Sequence, residues 1–119
     1  ADKKSILSIA KEIQEISQKT RERKLDLGDL KGGTFTITNV GSLGGVFATP
    51  IINYPECAIL GIGKIKEVPA FDSNKIVKRN ILPMSLTFDH RIADGAEAAR
   101  FMNKVKESLK DPDWLLVEL

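Results

Sequence analysis

The sequence predicts a two-layer α/β domain, with helices packed on a sheet as an α+β sandwich. Helical apolar spacing occurs near both ends of the 119-residue chain, β-type patterns fill the middle, and no internal repeat or low-complexity tract competes with that reading. Hydrophobic residues make up 42% and charged residues 29%, which is the composition of a globular domain with enough apolar material for a core. The length fits one small domain or part of a larger one.

Ile6, Ile9, Ala10, Ile13, Ile16 and Thr20 recur at three- and four-residue spacing, while Lys11, Glu12, Glu15 and Lys19 fall elsewhere. That pattern is a helix of about five turns with one apolar stripe. Asp2 is its expected N-cap, and Lys19, Arg21, Arg23 and Lys24 suit the negative end of its dipole. These basic residues read as a solvated face in preference to an anion site. Gly28, Gly32 and Gly33 end the pattern. Residues 34–40 alternate β-branched or aromatic side chains with hydroxyl ones, the mark of a half-buried strand. Gly41 to Gly45 forms a turn, and Pro50 and Pro55 bracket a loop.

Ala58 to Ile65 is apolar apart from Gly61, Gly63 and Lys64, as expected of a strand covered on both faces. Asp72-Ser73-Asn74 is a turn signal; a strand starts at Ile76-Val77, and Ile81 to Phe88 continues or follows it. A last helix fits Ala96 to Lys110, with Ala98, Phe101 or Met102, Val105 and Leu109 on one side. Asp111-Pro112 stops it, and Trp114 to Leu119 forms an apolar tail. A chain that opens on a helix and closes on apolar groups offers surfaces that expect a partner, as part of a domain or as a domain that oligomerises.

Composition also narrows the function. A formal charge of +2, without a dense Lys/Arg stripe, argues against nucleic acid. No run of ~18 apolar residues suggests a membrane span. Ala1-Asp2-Lys3-Lys4 leads into an amphipathic segment and not into the apolar core of a signal peptide, so an intracellular, reducing compartment is expected. Cys57 is the one cysteine, which excludes an internal disulfide; flanked by Glu56 and Ala58, it reads as a small buried hydrophobe in preference to a nucleophile.

The one histidine lies in Phe88-Asp89-His90-Arg91-Ile92-Ala93-Asp94-Gly95, between a strand and a helix, where loops display catalytic groups. Three local readings compete. One imidazole with Asp89 and Asp94 is a thin ligand set, so no metal is expected. Val40-Gly41-Ser42-Leu43-Gly44 fits a hydrolase elbow around Ser42, but Gly45 and Pro50 interrupt the helix such an elbow requires. A structural histidine paired with Asp89 or Asp94 is the plain alternative.

Asp89-His90-Arg91-x-x-Asp94-Gly95 matches the Asp-His-Arg-x-x-Asp-Gly signature of the dihydrolipoamide acyltransferases, core components of the 2-oxo acid dehydrogenase multienzyme complexes. Gly33 to Asn39, Thr49 to Glu56 with Ala58 to Gly61, and Pro83 to Phe88 resemble further blocks of that family, in its order and over nearly the whole chain.

The resemblance implies residues 1–119 to be the C-terminal portion of the catalytic domain, part of a chloramphenicol acetyltransferase-like fold, with the lipoyl and subunit-binding domains and the first half of the catalytic domain elsewhere. It implies acyl transfer from acyl-dihydrolipoamide to coenzyme A, with His90 as general base, Thr38 as oxyanion donor, and Asp94 as an orienting carboxylate acting through an arginine. Arg91 is one candidate for that arginine, and another lies in the other half of the domain. The plainer alternative for Thr38, given less weight, is a strand hydroxyl satisfied by local backbone. Asp89, Asn39 and Ser85 are lesser candidates, and no coenzyme A contact is assigned.

The implied partners are two further copies in a homotrimer, a larger hollow core that the apolar tail joins unless it packs on its own subunit, the lipoyl domain carrying the lipoyl group, and the 2-oxo acid decarboxylase and dihydrolipoamide dehydrogenase components. The implied setting is the cytoplasm, or the mitochondrial matrix in a eukaryote. The alternatives are an acyltransferase with a hydroxyl acceptor and a non-catalytic scaffold subunit. Thr38 in place of serine resembles succinyl-transferring members, and Asn39 to Gly45 resembles the acetyl and branched-chain types.

Overall fold

The computed structural model describes residues 1–110; the expected helix stop at Asp111-Pro112 and the apolar tail lie outside the described residues. The described residues divide into two compact units, residues 1–33 with 108–110, and residues 34–107.

The first unit is built on helix α1 (Ile6–Arg21). Its N-cap is Ser5, whose hydroxyl accepts the backbone N–H of Ser8 at 3.3 Å. Asp2 is not the cap, because an oxygen can reach the free N–H groups of the first turn only from the residue next to them. Lys19 and Arg21 sit in the last turn as expected, and Arg23, at φ +56°, turns the chain out of the helix. A 3₁₀ turn follows at Leu27–Leu30.

The second unit holds strands β1 (Thr36–Asn39), β2 (Ala58–Ile62), β3 (Lys66–Asp72), β4 (Lys75–Ile81) and β5 (Met84–Phe88), followed by all but the last three residues of helix α2 (Gly95–Lys110). β2 is the middle of a three-stranded sheet, with β1 parallel on one side and β5 antiparallel on the other. Thr36 pairs with Ile59 and Ile59 with Thr87; Thr38 pairs with Gly61 and Gly61 with Ser85. Side chains directly opposite one another share a face, so these six residues form one face of the sheet, and Ile37, Leu60 and Leu86 lie on the other with Ala58 and Phe88.

Against this second, apolar face, Phe35 meets Phe101 of α2 with ring centroids 5.8 Å apart. The core is β2 itself: Ala58, Ile59 and Leu60 are 5–8% exposed. The hydroxyl alternation of β1 works the opposite way round from a simple amphipathic strand, since Thr36 and Thr38 are half-buried while Ile37 is 63% exposed.

β2 is shorter than the apolar run suggests. After Ile62 the chain bonds elsewhere: the Gly63 N–H donates to the Pro83 carbonyl at 2.9 Å and the Lys64 N–H to the Gly45 carbonyl at 2.8 Å. β3 then pairs with β4 in a separate two-stranded ribbon, from Lys66 opposite Ile81 to Asp72 opposite Lys75. The polar start and Pro69 disguise β3 in the sequence, yet a ribbon has only edge strands, where proline is tolerated. The two-residue turn Ser73-Asn74 has φ +53° and +113°, the positive values that match hairpin twist. Leu82-Pro83 separates β4 from β5.

Backbone crowding at the end of β2 requires glycine. A Cβ on Gly63 would collide with the Val46 carbonyl oxygen, and one on Gly41 would sit 2.6 Å from the Gly63 oxygen. Gly63→Ala is expected to destabilise by about 1–3 kcal/mol, as overpacking does. Gly28→Ala, with nothing within 4 Å, should stay within about 0.5 kcal/mol of wild type. Urea unfolding midpoints of the two variants measure the contrast.

Candidate active site

His90 sits in a turn locked at its first residue. The Asp89 N–H donates to the Cys57 carbonyl at 2.8 Å, prolonging the pairing of β5 with β2. The Asp89 carbonyl accepts the N–H groups of Ile92 at 3.0 Å and Ala93 at 3.2 Å, leaving His90 and Arg91 exposed on the turn. The imidazole lies against the Phe88 ring, with centroids 5.7 Å apart and planes tilted by 37°.

The two residues flanking His90 are tied to each other. The Asp89 carboxylate accepts the Arg91 backbone N–H at 2.9 Å, Nε at 3.0 Å and Nη2 at 2.6 Å. The side-chain hydrogen bond from Arg91, followed by its backbone N–H, holds the Asp89 carboxyl down at about 2. Arg91 therefore folds back on Asp89 and is not the partner of Asp94.

Asp94 serves the helix. Its Oδ1 accepts the Glu97 N–H at 2.8 Å, and Glu97 Oε2 accepts the Asp94 N–H at 3.0 Å. This is a reciprocal capping box around the start of α2, legible in the sequence as Asp94-Gly95-Ala96-Glu97. The box sets where the loop ends, four residues after His90.

Thr38 lies at the far end of β1, half-buried beside Gly61. On the same face, Thr36 Oγ1 donates to Glu56 Oε2 at 2.5 Å and Ser85 Oγ donates to the Ala48 carbonyl at 2.6 Å. Asn39 is spent locally, its Oδ1 accepting the Gly41 N–H at 2.9 Å.

Thr38 and His90 do not meet in one chain. Thr38 is level with Ser85, whereas His90 follows Phe88, whose partner Ala58 begins β2. Five residues along and two strands across put them roughly 15 Å apart in one direction and roughly 10 Å in the other. Ser42 occupies the 3₁₀ turn Gly41–Leu43, with no α-helix after it, so the strand–turn–helix elbow is not formed. Cys57 is free and half-buried, lining an apolar groove of about 350 Å³ with Phe35, Leu86, Phe88, Ile92 and Phe101. Among the described residues no group of three His, Cys, Asp or Glu side chains converges as a metal site.

Two expectations test this loop. Asp94→Ala should cost about 1 kcal/mol of stability through α2 and Asp94→Asn much less, because asparagine also caps. The Asp89 carboxyl is lower in the folded chain than its ordinary 3.8, so its stabilisation is present above that value and disappears as pH falls towards 2. Thermal unfolding across pH 4.5 to about 2 should weaken more steeply in wild type than in Asp89→Asn.

Comparison with known proteins matches this geometry to one group. The family model described as 2-oxoacid dehydrogenases acyltransferase (catalytic domain) matches residues 1–117. The dihydrolipoyllysine-residue acetyltransferase component of the pyruvate dehydrogenase complex of Staphylococcus aureus is 48% identical over 118 residues, covering 99% of this chain and 27% of that protein. Among solved structures, a probable dihydrolipoamide acetyltransferase of Listeria monocytogenes superimposes with TM-score 0.88 at 40% identity, over 92% of this chain and 47% of the other.

The Azotobacter vinelandii dihydrolipoamide acetyltransferase superimposes with TM-score 0.91 at 42% identity, over 97% and 47%. In it a serine, a histidine and an asparagine were investigated for their role in the catalytic mechanism. The chain thus spans about a quarter of the curated relative and about half of these solved structures. Its mixed helix and sheet arrangement is part of the chloramphenicol acetyltransferase-like α/β fold of these cores. The chain belongs to the 2-oxoacid dehydrogenase acyltransferase family, in its catalytic domain.

Proposed function

We propose that the protein transfers an acyl group from acyl-dihydrolipoamide to coenzyme A, with His90 as general base and Thr38 as oxyanion donor. The observation that carries this is spacing. The serine and histidine investigated in the Azotobacter enzyme are separated by the same fifty-two residues that separate Thr38 from His90, and its asparagine follows the histidine by four residues, as Asp94 follows His90.

The chemistry suits the residues. A thiol becomes a good nucleophile on losing its proton. Neutral His90 takes that proton from coenzyme A while the sulfur attacks the thioester carbonyl. The oxyanion that forms accepts a hydrogen bond from the Thr38 hydroxyl. Collapse of the tetrahedral intermediate breaks the bond to the dihydrolipoyl sulfur, which receives the proton from the imidazolium. The acceptor becomes a thioester and the donor a thiol, and no proton is gained or lost.

Since the two groups stand at opposite ends of one sheet, the base of one copy acts with the hydroxyl of the next, in a trimer whose copies share each site. Lipoyl groups arrive on a separate domain, and trimers build the larger core with the decarboxylase and dehydrogenase components around it, in the cytoplasm or the mitochondrial matrix. Asp94 orients the His90 loop by capping α2. Asparagine, which stands at the corresponding spacing among the residues investigated in the Azotobacter enzyme, is also a good helix cap.

In a coenzyme A-dependent assay of the assembled full-length protein, His90→Ala should nearly abolish turnover and Thr38→Ala should lower it on the order of 10²–10³-fold. Co-assembling the two variants one to one should restore activity at about a quarter of the interfaces, those with both wild-type groups. Unchanged turnover in His90→Ala would overturn the reaction, and no recovery on co-assembly would overturn the shared site.

A further inference from the structure

Thr38, Gly61 and Ser85 form a row across the three strands, on one face of the sheet. The middle position has no side chain, and its space is taken by two neighbours. A Cβ on Gly61 would lie 2.7 Å from Ser85 Oγ and 3.6 Å from ring atoms of Pro50. Pro50 thus covers the sheet at Gly61, the position paired with Thr38, and Ser85 fixes the segment that brings it there, since Ser85 Oγ donates to the Ala48 carbonyl at 2.6 Å in a part-buried hydrogen bond across 37 residues of sequence.

The stretch from Gly44 to Ile52 has no helix or strand of its own. It is held before Ala48 by the Lys64 N–H on the Gly45 carbonyl, and after Pro50 by Glu56, which accepts from Thr36 and Asn53. The Ser85 bond is the anchor nearest Pro50. A small hydroxyl residue adds little packing to this half-buried strand, and the Ser85 hydroxyl is engaged by the Ala48 carbonyl.

We infer that Ser85 is a positioning residue for acyl transfer, holding Ala48–Pro50 over Gly61 and so fixing the wall against which the Thr38 hydroxyl is aimed. The inference rests on the acyl-transfer reading above. An oxyanion donor must stand within a few tenths of an ångström of its working position, and small displacements cost rate steeply while leaving binding of the remote parts of a substrate intact.

The test is steady-state kinetics of the full-length assembled enzyme. Ser85→Ala should lower kcat on the order of tenfold with KM for coenzyme A within about twofold, as loss of a transition-state alignment requires. Ser85→Thr, which keeps the hydroxyl, should recover most of kcat. Gly61→Ala should reproduce the loss by displacing Ser85 Oγ, and the double variant should be no worse than either single one.

A wild-type kcat in Ser85→Ala overturns the inference, as does a loss that Ser85→Thr fails to recover or one that appears only in proportion to lost assembly by size-exclusion chromatography. His90→Ala, run alongside, separates the two failures. If it abolishes turnover while Ser85→Ala does not reduce it, only the positioning role falls. If it leaves turnover intact, the reaction itself falls.

Discussion

The pairing of β2 with a parallel neighbour on one side and an antiparallel neighbour on the other governs everything else in this chain. The parallel partner carries Thr38 towards the end where β2 finishes. The antiparallel partner delivers His90 to the end where β2 starts. Sheet hydrogen bonding fixes both positions to within a fraction of a residue, because a slip of one would turn every side chain to the opposite face. Thr38 and His90 are thus held at opposite ends of one sheet, and under the proposed reaction they serve a common site only when copies are juxtaposed. The same economy shows in burial: residues of β2 form the inner layer, and large apolar groups such as Leu43, Phe47 and Ile51 remain at the surface.

The His90 turn is organised by backbone more than by charge. Exposed ion pairs contribute little to stability, and Arg91 is a surface residue. What the Asp89–Arg91 fork supplies is direction: three donors from one residue converge on one carboxylate, which restricts the turn on either side of His90. On the other flank the Asp94–Glu97 box determines where helical geometry begins. His90 is thus suspended between two local constraints, one at the end of a strand and one at the start of a helix.

Much of this was legible in the amino-acid order, for identifiable reasons. Apolar spacing revealed α1 and α2, continuous apolar character revealed β2, and Asp72-Ser73-Asn74 marked the hairpin turn, because each depends on neighbours close in sequence. β3 was hidden, since its ribbon needs no inward face and admits Lys66, Glu67 and Pro69. Ser5, not Asp2, stands at the offset that caps α1, because only the residue next to the first turn reaches its free N–H groups. At the site, the motif pointed to His90 and Asp94 and offered Arg91 as a partner for Asp94, but its pairing with Asp89 depends on how the turn folds back, which spacing does not reveal. The clustering of Thr38, Gly61 and Ser85 was out of reach, because it follows from the register of three strands drawn from distant parts of the chain.

The fork beside the histidine also has an electrostatic meaning. Asp89 remains ionised down to about 2, and a guanidinium stays protonated throughout the range in which proteins work. The residues immediately before and after the imidazole therefore pair as a compact dipole that adds no net charge to the turn. Whatever approaches the exposed imidazole therefore meets a turn whose two charged residues are already paired with each other.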